Sequence, residues 1–94
     1  MYYVYALFSR EDNKFYIGYT ENLQRRLKEH QAGYNYTTAR YKNQRVIFAE
    51  IFVNEQDARR REKYFKTTKG RKALRLILRG ALTTYRKNLA CPVV

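Results

Sequence analysis

A single carboxylate stands in the most basic part of this 94-residue chain. Residues 59–79 contain ten Lys and Arg residues, and Glu62 is the only acid among them, which leaves a net charge of +9. Ala58, Glu62 and Phe65 have the spacing of one helix face, and the two apolar residues make it the inward face. Glu62 therefore has two interpretations: an ion pair with Arg59, Lys66 or another nearby cation, or a ligand for a hard divalent cation such as Mg²⁺ or Mn²⁺.

A second pair of polar residues lies on the first predicted helix. Arg26 and His30 are four residues apart, and Arg26 is next to the apolar pair Leu23 and Leu27, so its guanidinium can bend towards a sheet. Arginine suits a phosphate that gains charge in a transition state, and histidine can transfer a proton near neutral pH. The alternative is an ordinary solvated helix surface.

Two tyrosines lie in the strand-like segments before that helix. Alternation places Tyr5 and Tyr16 where they can share one face of a hairpin, although the register is not fixed by the sequence. Strand tyrosines are usually packing residues. A phenol becomes a general base only when cations or metal-bound water lower its pKa, and this chain supplies many cations.

The charge of the whole chain indicates a polyanionic partner. Twenty Lys and Arg residues against eight acids give +12, and nucleic acid is the usual partner of such a field. No apolar run is long enough to span a membrane, and MYYVYALFS lacks the basic lead of a secretory signal. Cys91 is the only cysteine and His30 the only histidine, which excludes an internal disulfide and a zinc-ligand set. We expect a cytoplasmic protein.

Periodicity and capping signals predict one α+β domain, a small antiparallel sheet flanked by helices in the order β-β-α-β-α-α. Residues 1–82 form the domain, and residues 83–94 are expected to be a loosely ordered tail. The predicted elements are strands at 1–8, 14–19 and 45–53, and helices from Thr20 to near Gly33, from Asn54 to Lys66 and from Lys69 to Arg79, with Gly80 ending the last and a polar loop at 34–43.

Taken together, these residues resemble the GIY-YIG nuclease domain, in its small single-domain bacterial form. The two name-giving tripeptides correspond to YVY, which ends at Tyr5, and YIG, which ends at Gly18; Tyr3 stands at the glycine position of the first. Arg26 and His30 match the arginine and the histidine four residues later on the following helix. Glu62 matches the metal-binding glutamate.

The resemblance implies a three-stranded sheet and a phosphodiesterase that uses one Mg²⁺ or Mn²⁺ ion. Glu62 would hold the ion, Arg26 would stabilise the charge on phosphate, and His30 would assist the tyrosines or the phosphate. Tyr5 or Tyr16 would orient or deprotonate the attacking water. Tyr19 takes the place of a lysine found after the YIG tripeptide in some members, and residues 74–77 lack an asparagine that many larger members carry.

The expected activity is a DNA endonuclease with a role in DNA repair, acting as a monomer or weak homodimer on DNA rather than RNA and without a membrane. The expected nucleic-acid-binding residues are Gly18, Tyr19, Arg25, Arg40, Lys66, Lys69, Arg71 and Lys72. Two alternatives remain: a non-catalytic nucleic-acid-binding module with the same fold, and a basic protein that binds ribosomes or acidic partners.

Overall fold

Three strands and four helices follow one another in a computed structural model of the protein, which describes residues 1–31 and 44–86. In chain order they are β1 (Tyr2–Ser9), β2 (Lys14–Thr20), α1 (Leu23–Gln31), β3 (Gln44–Phe52), α2 (Glu55–Phe65), α3 (Thr68–Ile77) and α4 (Arg79–Arg86). The predicted α+β class and element order are confirmed, with one additional short helix at the end. Among the helices described, none has the length and hydropathy needed to cross a bilayer.

The central strand of the antiparallel sheet is β1, because the strand order is β2-β1-β3. Asn13 closes the β1–β2 hairpin in the left-handed region, with a φ of 52°, a conformation that asparagine tolerates better than most residues. The resulting register places Tyr5 opposite Gly18 and Leu7 opposite Tyr16. Tyr5 and Tyr16 therefore lie on the same face of the sheet, as predicted.

The other face of the sheet carries the main hydrophobic core. Val4, Ala6 and Phe8 of β1 point into it and are no more than 1% exposed. The residues buried against them, on the three following helices and at the junction of the last two, are Ala58, Phe65, Leu74, Leu78 and Leu82. This core attaches α2, α3 and α4 to one side of the sheet, while α1 brings His30 to the buried Tyr5.

Side-chain caps start three of the helices. Oxygens of Asn22, Asn54 and Thr67 each accept a hydrogen bond from the backbone N–H three residues later, at 3.0, 3.1 and 3.0 Å. The cap predicted at Asn54 is confirmed. The cap predicted at Thr20 is wrong, because Thr20 is still part of β2 and its hydroxyl accepts from the backbone N–H of Asn22 at 3.1 Å.

The predicted end of the last helix at Gly80 is also wrong. The chain re-enters a helix at Arg79 and continues through Gly80 to Arg86. Leu78 and Leu82, one turn apart, are 8% and 5% exposed, and burying both offsets the helix cost of one glycine. The predicted end of α1 near Gly33, the loop at 34–43 and residues 87–94 with Cys91 lie outside the described residues. Of the predicted tail at 83–94, residues 83–86 belong to α4, and the loose order expected of the rest stays a prediction.

Candidate active site

The centre of the site is a hydrogen bond between two buried side chains. The hydroxyl of Tyr5 lies 2.7 Å from Nε2 of His30, and the two residues are 0% and 6% exposed. Tyr16 completes an aromatic cluster, with its ring centroid 5.0 Å from that of His30 and 6.5 Å from that of Tyr5. Tyr16 is the only one of the three that is not fully buried, so it is the phenol nearest to solvent.

Gly18 makes room for the ring of Tyr5. A Cβ atom at position 18 would lie 2.3 Å from both Cζ and the hydroxyl oxygen of Tyr5, far closer than nonbonded atoms approach. The absence of a side chain at Gly18 therefore lets the Tyr5 ring cross β2. Gly18 itself is buried.

Both partners of the central hydrogen bond are uncharged at neutral pH. Burial, followed by repulsion from Arg26, lowers the pKa of His30 to about 4. Burial raises the pKa of Tyr5 to about 12, even though the hydrogen bond from Arg26 acts in the opposite direction. The cations of this chain therefore do not activate Tyr5 as a base in this state, and its phenol keeps its proton.

Arg26 connects this cluster to the surface. Its guanidinium donates to Oε1 of Glu29 at 3.0 Å and also interacts with the hydroxyl of Tyr5. Hydrogen bonding to Glu29, then to Tyr5, raises the pKa of Arg26 further above its ordinary value. Its side chain is 34% exposed, so a permanently charged fork lies between the buried phenol and solvent.

Glu62 lies on α2, a helix on the core side of the sheet. Its carboxylate contributes weakly to the raised pKa of Tyr5. Oε2 of Glu62 lies 3.1 Å from Nζ of Lys66, and the two side chains are 19% and 52% exposed. The ion pair predicted as one interpretation of Glu62 is therefore present.

The donor set fits a lightly held divalent cation. In the described part of the chain, no group of three or more His, Cys, Asp or Glu side chains is arranged to hold a metal. Mg²⁺ usually keeps several waters and takes only one or two protein carboxylates plus substrate phosphates. Glu62 can supply one such carboxylate if the exposed ammonium of Lys66 moves aside.

The predicted nucleic-acid-binding residues occupy several surfaces. Tyr19 is half-buried and stacks on Tyr2, with ring centroids 6.4 Å apart. The exposed cations of this set are Arg25, Lys66, Lys69, Arg71 and Lys72. Arg40 lies outside the described residues.

Two arginines of the basic stretch stabilise the fold. Arg61 donates to both carboxylate oxygens of Glu50, at 2.9 and 3.3 Å, and its Cζ lies 4.3 Å from the centroid of Phe65. Arg75, which lies among the residues 74–77 that lack the asparagine, donates to the backbone oxygen of Asn13 at 3.1 Å, at the hairpin turn.

Sequence reasoning missed Glu29, which positions Arg26, and Glu50, which binds Arg61. The spacing of Arg26 and Glu29, three residues apart on a helix, was a usable signal. Glu50 offered no such signal, because its partner lies on another element.

The sequence is similar to those of known proteins. The family model described as the GIY-YIG catalytic domain matches residues 1–75. A UPF0213 protein of Limosilactobacillus reuteri is 40% identical over 68 residues, which cover 69% of this chain and 70% of that protein. Another UPF0213 protein, from Clostridium perfringens, is 39% identical over 79 residues, which cover 82% and 83% of the two chains. No solved structure gives a significant match.

Proposed function

Because this chain belongs to the GIY-YIG family, we propose that it is a divalent-metal-dependent endonuclease that hydrolyses phosphodiester bonds in DNA. The observation that carries this proposal is the contact of Tyr5 with His30, Tyr16 and Arg26 in one cluster. Phosphodiester hydrolysis needs a positioned water and charge neutralisation more than covalent help from the protein.

Each side chain has a role that its surroundings support. Glu62 would hold Mg²⁺ or Mn²⁺, which supplies Lewis-acid polarisation of the phosphate when bound. Arg26 neutralises the charge that develops on the nonbridging oxygens. His30 stays neutral and orients the hydroxyl of Tyr5.

A tyrosine would position the attacking water. Tyr16 is partly exposed and is the better placed of the two phenols to contact that water, whereas Tyr5, protonated and buried, supports Tyr16 and Arg26. Tyr16 would orient the water by a hydrogen bond; the water oxygen then bonds to phosphorus as the P–O bond to the leaving oxygen breaks, and a proton released by the water is taken up by the leaving oxygen.

The wider setting is proposed on the same basis. The +12 charge and the exposed lysines of α3 favour binding to DNA. We propose that the protein acts in the cytoplasm, as a monomer or weak homodimer, in DNA repair.

The test is cleavage of labelled duplex, single-stranded and branched DNA in the presence of Mg²⁺ or Mn²⁺. Glu62→Ala and Arg26→Ala should abolish product, and Asp57→Ala should not. Asp57 is a matched control because it is an acid on α2 that pairs with Arg60 at 3.1 Å, away from Glu62. Cleavage that persists in both site variants would assign the activity to a contaminant.

A non-catalytic nucleic-acid-binding module is the second candidate. The specific observations in its favour are the ion pair between Glu62 and Lys66 and the complete burial of Tyr5. Intact DNA binding with no cleavage of any substrate would support it. A weak dependence of DNA affinity on salt would instead favour a protein that binds ribosomes or acidic partners.

A further inference from the structure

Arg59 is held in a fixed position by two residues that the proposed chemistry does not use. Its Nε donates to Oε2 of Glu55 at 3.0 Å, and its Cζ lies 4.3 Å above the centroid of the Tyr19 ring. The hydroxyl of Tyr19 donates to the same carboxylate oxygen at 3.3 Å. An acceptor on one side and an aromatic face below thus fix the plane of the guanidinium.

This arrangement leaves the outer part of the guanidinium available for an anion. Of the five N–H donors of an arginine, only the one on Nε takes part in the bond to Glu55. The side chain is 49% exposed, so the terminal nitrogens can meet a ligand from solvent. A planar fork with two donors matches the spacing of phosphate oxygens.

The position of Arg59 on α2 places it beside Glu62. Arg59 precedes Glu62 by three residues and Lys66 follows it by four, so the three side chains form a row along one helix face. The carboxylate is flanked by a cation on each side, and the Cα atoms of the two cations are separated by about 10 Å along the helix axis. A nucleic-acid strand that follows this face of α2 with its scissile phosphate at Glu62 would pass Arg59.

We infer that Arg59 binds a phosphate of the nucleic-acid backbone next to the bond to be cleaved. Tyr19 and Glu55 are its positioning residues. The location of the cleaved bond rests on the proposed function, but the binding of phosphate by Arg59 does not. Arginine gains affinity here because Tyr19 and Glu55 restrict its rotamers before the ligand arrives.

The test measures the affinity for a short DNA duplex in EDTA at several salt concentrations. Arg59→Ala should weaken binding roughly tenfold at low salt, equal to about 1.4 kcal/mol, and reduce the slope of log affinity against log salt by about 1. Arg60→Ala is the matched control, because Arg60 is the next residue, is 73% exposed and pairs with Asp57 instead. If Arg59→Ala and Arg60→Ala change the affinity and the salt slope equally, the inference is overturned.

Two further variants test the positioning by Tyr19. Arg59→Lys should keep the salt slope but lose affinity, because lysine keeps the charge without the stacked fork. Tyr19→Leu should lose affinity in the native background and lose nothing further in the Arg59→Ala background. Additive losses of affinity in the double variant would show that Tyr19 does not act through Arg59. Circular dichroism of each variant establishes that it is folded.

The outcomes separate this inference from the proposed function. A protein that never cleaves DNA but shows the Arg59 effect on salt slope supports phosphate binding and contradicts the nuclease. If cleavage needs Glu62 but DNA affinity is the same in the native protein and in Arg59→Ala, the nuclease is supported and phosphate binding by Arg59 is contradicted.

Discussion

The ring of Tyr5 fills the space that any side chain at Gly18 would require. The two residues are direct partners across β1 and β2, and a Cβ atom at position 18 would lie 2.3 Å from Cζ of Tyr5. The two tripeptides that resemble the family motif are thus one packed unit. The glycine of the second permits the buried position of the tyrosine in the first.

Gly18→Ala should lower both stability and activity. The added methyl must displace a ring that is fully buried, and such overpacking costs about 1–3 kcal/mol. Urea denaturation gives the change in free energy of unfolding, and the cleavage assay gives the change in activity. Gly80→Ala is the matched control, because a Cβ atom there has no neighbour within 4 Å, and it should be neutral or stabilise by up to about 1 kcal/mol. Similar destabilisation by both variants would contradict this account of Gly18.

His30 should make the protein lose stability as the pH falls from about 6.5 to 4. Its pKa is lowered to about 4 in the folded state, so between these values the unfolded chain binds more protons. The contribution of His30 to the free energy of unfolding is complete above pH 6.5 and declines by about 3 kcal/mol at most as the pH reaches 4.

The single histidine of the chain makes this measurement direct. Titration of the imidazole Cε1–H resonance by NMR should give a pKa well below 6.5. The pH dependence of unfolding should be weaker in His30→Gln over the same window, where carboxylates still titrate in both proteins. An NMR pKa near 6.5 would show that His30 is not held neutral by burial.

The arrangement of the tyrosines, Arg26 and His30 could be predicted because it depends on local periodicity. Strand alternation places Tyr5 and Tyr16 on one face, and a helix places Arg26 and His30 one turn apart. The roles of the cations could not be predicted in this way. Arg75 binds Asn13, 62 residues away in the sequence, and no local pattern distinguishes such an arginine from one that faces solvent.

The protonation of Tyr5 shows the same limit. A cationic composition suggests a phenol with a lowered pKa, but the structure buries this hydroxyl, and burial outweighs the nearby Arg26. The burial of the Tyr5 hydroxyl depends on how its ring crosses β2 and on the packing of the helix that carries His30. Both are tertiary contacts that no local sequence pattern predicts.

Replacing Arg75 should change protein stability and replacing Lys72 should change DNA binding, although both residues belong to the basic stretch of α3. Arg75→Ala removes hydrogen bonds to the hairpin turn and the contact of its Cζ with Phe15, 5.0 Å from the ring centroid. It should lower the free energy of unfolding by about 1 kcal/mol and leave the salt slope of DNA binding nearly unchanged. Lys72 is exposed, so Lys72→Ala should leave stability unchanged and reduce that slope by about 1. The assignment fails if the two variants exchange these effects.

Lys66 and Mn²⁺ should compete for the carboxylate of Glu62. Nζ of Lys66 lies 3.1 Å from Oε2 of Glu62, and an ammonium at that distance disfavours a second cation on the same oxygen. Lys66→Ala should therefore tighten Mn²⁺ binding, measured by electron paramagnetic resonance without DNA, by roughly threefold to tenfold. Glu62→Gln should abolish the site, whereas Glu55→Gln, which changes an acid two turns earlier on the same helix that pairs with Arg59 at 3.0 Å, should retain it. Mn²⁺ binding that is the same in the native protein and in Glu62→Gln would place the ion elsewhere and remove Glu62 from the proposed mechanism.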